Sequence, residues 1–184
     1  MTDARMTLRA MPFVFEPSNK HWNPGHWNAA RPEFSQVVNS ASLAMPFLEP
    51  YLIRSMRAAR SKITDPALLA DLDLYIRQEA AHYKQHQLFN ETLRAAGYTC
   101  IDVIESRLAA DYNKLEKERS LRFNLAYAEG FEAMALAIGQ MLIEDRVHLF
   151  GDSKPAVASL VLWHFVEEIE HKSVAYDVLH HLHP

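Results

Sequence analysis

The chain has 184 residues, of which 49% are apolar, 10% aromatic and 23% charged, the composition of an ordinary folded domain. Its 19 Lys and Arg against 23 Asp and Glu give a net charge of −4 with both signs scattered, so no basic face is available for phosphates and nucleic acid is not an expected partner. No run of about 18 apolar residues is present, which excludes an ordinary membrane span, and the N-terminus MTDARMTLRA lacks the apolar core of a secretory signal, so a cytoplasmic protein is expected.

The single cysteine, Cys100, excludes an internal disulfide and a zinc site of the thiolate kind, and no GxGxxG or GxxxxGK[ST] run is available to cradle a phosphate.

Residues 1–32 carry Pro12, Pro17, Pro24 and Pro32 around the stretch from His21 to Trp27 (HWNPGHW) and read as an irregular N-terminal arm. His21 and His26 lie between tryptophans and are expected to pack as amphipathic cover. The tryptophans themselves would cover the end of the fold or a neighbouring copy, so a homodimer is one expectation.

Residues 33–184 read as one helical domain. Helices are expected over 34–61, 65–96, about 117–148 and 155–182, stretches rich in the side chains that lose least rotamer freedom in a helix. Thr64-Asp65-Pro66, Gly97 and the run from Gly151 to Pro155 punctuate them. Residues 98–116 place Ile101, Ile104, Leu108 and Tyr112 at helical spacing and read as a connecting helix. Pro46 and Pro50 predict that the first helix kinks or begins there. Short connections and the lack of period-two alternation favour an all-α antiparallel bundle over globin-like or repeat packing.

Carboxylates and imidazoles inside apolar helical stripes need a partner. The second helix carries Glu79-x-x-His82, with His86 one turn on, and the fourth carries His164, Glu168 and His171. At about 100° per residue, Glu79 and His82 lie roughly 60° apart, and the fourth-helix trio falls on one face. The other two long helices each hold an acid in an apolar setting, Glu49 and Glu129. Di-metal carboxylate bundles are built from one Glu on each of two helices and Glu-x-x-His on each of the other two, and four buried carboxylates would balance two divalent cations.

Glu129 is preferred to Glu132 because Tyr127 and the apolar run that follows place it deeper in the pattern. Glu132, Glu167 and Glu170 are expected to face solvent or polar neighbours, and His86 to hydrogen-bond behind the ligands or to be exposed. Asp177 would orient His171, and His180, His181 and His183 read as a frayed terminus.

These residues carry a resemblance. The segments QEAAHYKQHQLFN and LWHFVEEIEHKSVAYDV, with MPFLEPYLIRSMR and AYAEGFEAMA, resemble the bacterial family named predicted metal-dependent hydrolase over roughly residues 32–182. That family's usual chain runs on past the last helix, and it carries a Gly where Leu48 stands here. The ligand order is also similar to that of the di-iron N-oxygenases of the p-aminobenzoate type, which have a ferritin-like four-helix bundle. This likeness implies a seven-residue set of Glu49, Glu79, His82, Glu129, His164, Glu168 and His171, with no catalytic residue beyond the metal ligands.

The first functional expectation is a di-iron oxidase or oxygenase that uses dioxygen on a small organic substrate. His82 and His171 would hold one iron each, with His164 added to the His171 iron. Phe47, Tyr83, Tyr127, Met134, Trp163 and Phe165 would line the substrate's approach. Carboxylate and imidazole donors suit two iron ions, manganese or a mixed manganese–iron pair. The alternatives are a hydrolase, with zinc and a hydroxide shared by two ions, and a non-catalytic bundle that stores or senses metal.

Overall fold

A computed structural model describes residues 6–16 and 23–184, which leaves Pro17, His21 and Trp22 of the arm outside the described residues. The described part is all-helical apart from a single antiparallel bridge between Asn28 and Ser153. A short 3-10 turn at Pro24–His26 precedes α1 (Pro32–Arg60), α2 (Pro66–Ala95), α3 (Ile101–Glu118), α4 (Leu121–Glu144), α5 (Arg146–Phe150), α6 (Pro155–Glu170) and α7 (Val174–Leu182). Among the described residues no helix is long and apolar enough to cross a membrane.

Local chemistry sets most of these boundaries. The Asp65 carboxylate accepts from the amides of Ala67 and Leu68, with Pro66 in the first turn, and the Ser120 hydroxyl accepts from Phe123 N–H. Gly97, at φ +95°, ends α2 in the left-handed conformation that glycine adopts without strain, and Tyr98 N–H reaches back to Leu93 O.

Two apolar clusters divide the interior. One joins Trp27, Leu43, Phe89, Leu142, Phe150 and Leu160, and the other joins Leu52, Met56, Leu72, Leu125, Val174 and Val178. Each long helix passes from one cluster to the other, so the clusters fix its direction: α1 and α6–α7 run one way, α2 and α4 the other. Because α2 and α4 are parallel, the chain must be carried back between them. That is what α3 does, from Ile101 in the first cluster to Leu115 against the second. The layer between the clusters is where the buried acids and imidazoles lie.

Several expectations change on contact with the structure. The helix α1 does not begin at Pro46 or Pro50 but runs through both. Pro46 has no N–H to give Ser42 O, four residues earlier, and the Asn90 side-chain amide takes that place at 3.0 Å. The expected 117–148 helix is two, α4 and α5, and the expected 155–182 helix turns after His171, where Val174 N–H donates to His171 O. His180 and His181 belong to α7 rather than to a frayed end. Trp27 covers the fold's own end, packed on Phe34 and Phe150 with its indole N–H on Asn39, whereas His26 is exposed.

Replacing Asn90 by Ala leaves Ser42 O without its side-chain donor and the Ser42 O–H without its acceptor. This substitution is expected to cost about 1–3 kcal/mol in urea denaturation, the penalty for buried polar groups left unpaired.

Candidate metal centre

The buried residues of α2 and α4 follow the three-and-four spacing of a single helix face. On α2 the stripe is Leu72, Tyr75, Glu79, His82, His86, Phe89 and Leu93, flanked by the buried Ile76, Gln78 and Asn90; on α4 it is Leu125, Ala128, Glu132, Ala135, Gly139 and Leu142, flanked by the buried Asn124. Polar residues therefore sit in register with the apolar ones and are carried into the interior with them. Glu49 on α1 and His164, Glu168 and His171 on and after α6 meet them there, all buried.

These side chains form two groups. Glu49, His82 and His164 bring one donor atom each within 4.8 Å of one another, and Glu79, Glu132, Glu168 and His171 do the same. Glu168 joins the groups: Oε1 lies 3.0 Å from His164 Nε2 and 3.5 Å from His82 Nδ1, while Oε2 lies 3.3 Å from His171 Nε2. Glu79 Oε1 also faces both sides, 3.6 Å from His82 Nδ1 and 3.3 Å from His171 Nε2.

The atoms that face inward are bare. Nine buried side-chain nitrogen or oxygen atoms among the described residues have no hydrogen-bond partner, and seven of them belong to this layer: both oxygens of Glu49, Glu79 Oε1, His82 Nδ1, Glu132 Oε2, Glu168 Oε2 and His171 Nε2. Buried polar groups are rarely left so. The opposite atom of several of the same residues is held. Glu167 Oε2 takes His82 Nε2, Gln78 Oε1 takes His171 Nδ1, and the Tyr75 hydroxyl donates to Glu132 Oε1 at 2.7 Å. One atom anchored and the other free is how metal-binding side chains are oriented, and a set of carboxylates and imidazoles fits divalent cations.

His164 is held by a longer chain whose direction can be assigned. The Ser42 hydroxyl donates to Asn90 Oδ1 at 2.7 Å, so it accepts from His86 Nδ1–H at 2.8 Å. His86 Nε2 is then the acceptor for His164 Nδ1–H at 2.7 Å, which leaves the lone pair of His164 Nε2 facing Glu168 and Glu49.

Charge and burial shift these groups in opposite senses. Burial, with Glu79 beside it, holds the Glu49 carboxyl well above its usual range, and burial with the Glu168 charge pushes Glu132 up to about 8. Burial pulls the imidazoles down, yet the Glu167 hydrogen bond and the nearby Glu168 and Glu79 carboxylates leave His82 well above its ordinary value; the Glu168 charge and the adjacent Glu132 carboxylate do the same for His171. Burial opposes ionisation of Glu168, but His171 and the hydrogen-bonding imidazoles outweigh it and hold that carboxyl well below its range. His164 and His86 are lowered by burial and then by neighbouring imidazole charge.

Six of the seven residues read from the sequence as ligands converge: Glu49, Glu79, His82, His164, Glu168 and His171. Glu129 does not. It is half-buried and off the α4 stripe, and Glu132 takes its place. His164 sits with His82 and Glu49 rather than with His171. Asp177 is exposed, and Gln78 performs the orienting role it was given.

Glu167 is fully buried because the arm covers that face of α6: Arg9 N–H and its guanidinium reach Glu167 Oε1, which also accepts the Trp163 indole N–H at 3.0 Å. The α4 spacing was a usable signal for Glu132. No local signal marks Glu167, since its cover comes from residues far away in the chain.

A family model described as predicted metal-dependent hydrolase matches residues 7–184. No curated protein and no solved structure matches the chain.

Glu132→Ala is expected to lower bound manganese or zinc below two ions per chain, whereas Glu129→Ala keeps both, as read by elemental analysis after dialysis. Metal uptake should also release protons. The folded pKa values of Glu49, Glu132, His82 and His171 are raised, so protons compete with a cation for these groups, and uptake weakens as pH falls. Titration calorimetry in two buffers of different protonation enthalpy should give different apparent enthalpies; equal values would refute the linkage.

Proposed function

Because the chain belongs to the predicted metal-dependent hydrolase family, we propose that it is a dinuclear metal enzyme acting on a small molecule. In this reading α1, α2, α4 and α6–α7 form a ferritin-like four-helix bundle in which α3 is the crossover. The ions are held by Glu49, Glu79, His82, Glu132, His164, Glu168 and His171. One observation carries the proposal: the unpaired buried atoms of this layer point at one another across a gap that Glu168 spans.

Two bound divalent cations would neutralise the four carboxylates and supply Lewis acidity to a substrate oxygen. Glu167, Gln78, His86 and Tyr75 hold the ligands in orientation. Leu48, Tyr51, Leu160 and Trp163, all buried, keep bulk water away and so strengthen every charge interaction inside. The family description favours hydrolysis of an ester or amide by such a centre.

Oxidation by dioxygen is the second reading, and the donor set favours it. Four carboxylates and three imidazoles drawn from all the long helices match an iron or manganese pair better than zinc, which usually has fewer acids.

One set of preparations separates the two. Protein loaded with zinc or manganese should cleave a nitrophenyl ester or anilide if hydrolysis is the reaction, with loss of turnover in Glu168→Ala. Protein loaded anaerobically with ferrous iron should instead consume oxygen at an electrode, in proportion to bound iron, if oxidation is. A chain that retains no divalent ion after dialysis defeats both readings.

A further inference from the structure

A cavity of about 230 Å³ lies between α1, α4 and α6 and ends against His86 and His164. Its inner wall includes Ala135, Leu142 and Val161, all buried, whereas Val37, Met134, Ile138 and Met141 on its rim are exposed, so it opens to solvent between α1 and α4. Of the apolar lining expected from the sequence, Met134 and Phe165 line this cavity; Phe47 faces α3, and Tyr83, Tyr127 and Trp163 pack in the apolar clusters.

The cavity has no Asp, Glu, Lys or Arg in its wall. Its polar side chains are Ser42, His86 and His164: the first two and His164 Nδ1 are engaged with one another and with Asn90, and His164 Nε2 faces Glu168 and Glu49 at the candidate metal position. A molecule entering from solvent therefore meets no free hydrogen-bonding side chain before the metal position. A charged group held there would lose its water without replacement, while an apolar body loses nothing. The cavity reaches only the Glu49, His82 and His164 group, through His164.

We infer that this cavity is the substrate site, that it takes a small uncharged molecule with an apolar body, and that the molecule's reactive group meets the ion position bounded by Glu49, His82 and His164. The inference rests on the dinuclear reading above. An enclosed apolar cavity of about 150 Å³ accepts benzene, so a single ring with a short chain fits within the roughly 230 Å³ here. Gly139 helps to keep the space open. A Cβ there would stand 3.0 Å from Phe165 Cδ1 and 3.4 Å from Phe165 Cβ, so any side chain at 139 displaces Phe165, which lines the cavity.

The test uses the full chain loaded with zinc and two probes of equal size, ethylbenzene and benzylammonium, titrated by NMR. Ethylbenzene should bind saturably and shift the resonances of Phe165 and Val161, with benzylammonium at least about tenfold weaker. Ala135→Phe, which fills the inner wall, and Ala41→Trp, at an exposed rim position where the core is undisturbed, should each weaken ethylbenzene at least about tenfold. Both should retain wild-type zinc.

Equal binding of the charged probe, or unchanged ethylbenzene binding in both variants, overturns the inference. Zinc content is read separately, so a wild-type chain that binds ethylbenzene here but holds no zinc defeats the dinuclear reading and supports the cavity's apolar preference.

Discussion

Four carboxylates and three imidazoles are packed into one buried layer, six of the seven with an inward atom unpaired, and this is the constraint on which the rest of the structure depends. Like charges at such separations in a low-dielectric interior repel strongly. The shifted ionisation of Glu49 and Glu132 on one side, and of His82 and His171 on the other, is the layer's response when protons alone are available to balance it. Cations would relieve the same repulsion with fewer compromises, and the hydrogen bonds from Glu167, Gln78, Tyr75 and His86 fall on the outward atoms of their partners.

The surroundings follow from that layer. Pro46 removes a backbone donor from α1, and the carbonyl it frees captures Asn90. Asn90 then orients the Ser42 hydroxyl, which fixes His86 and through it His164. A helix defect thus becomes the far end of the chain that aims a candidate ligand. On the opposite side the arm serves a parallel purpose. Arg9 reaches Glu167 and Glu170 across the surface of α6; against its burial, Glu167 is kept below its usual range chiefly by the His82 it holds, then by the Trp163 indole N–H and the Arg9 backbone N–H. Two different interruptions of regular structure, a proline and an irregular segment, support imidazoles of the same group.

The apolar cavity gives the layer an asymmetry that its donor atoms do not. Both groups are buried, and the Glu49, His82 and His164 group lies at the end of an opening to solvent whose walls use up their own polar atoms. Small residues matter here as much as large ones. Gly139 lets Phe165 lie close against α4, and Ala135 keeps the inner wall open.

The helices, the Glu-x-x-His pairs and most of the donor set were legible in the sequence because helical periodicity is a local property: a residue's angle about its own axis depends only on its position in the chain. The choice between Glu129 and Glu132 was legible too, in the spacing of Leu125, Ala128, Ala135, Gly139 and Leu142, although a deeper-looking apolar neighbourhood pointed the other way. What only the tertiary structure decided were relations between helices. They include which imidazole shares a group with which acid, that His164 pairs with His82, that Gln78 rather than Asp177 steadies His171, and that the arm buries Glu167. Periodicity fixes the face a side chain occupies, but how far each helix slides and turns against the next is set by packing among residues distant in the chain, and no local spacing encodes that.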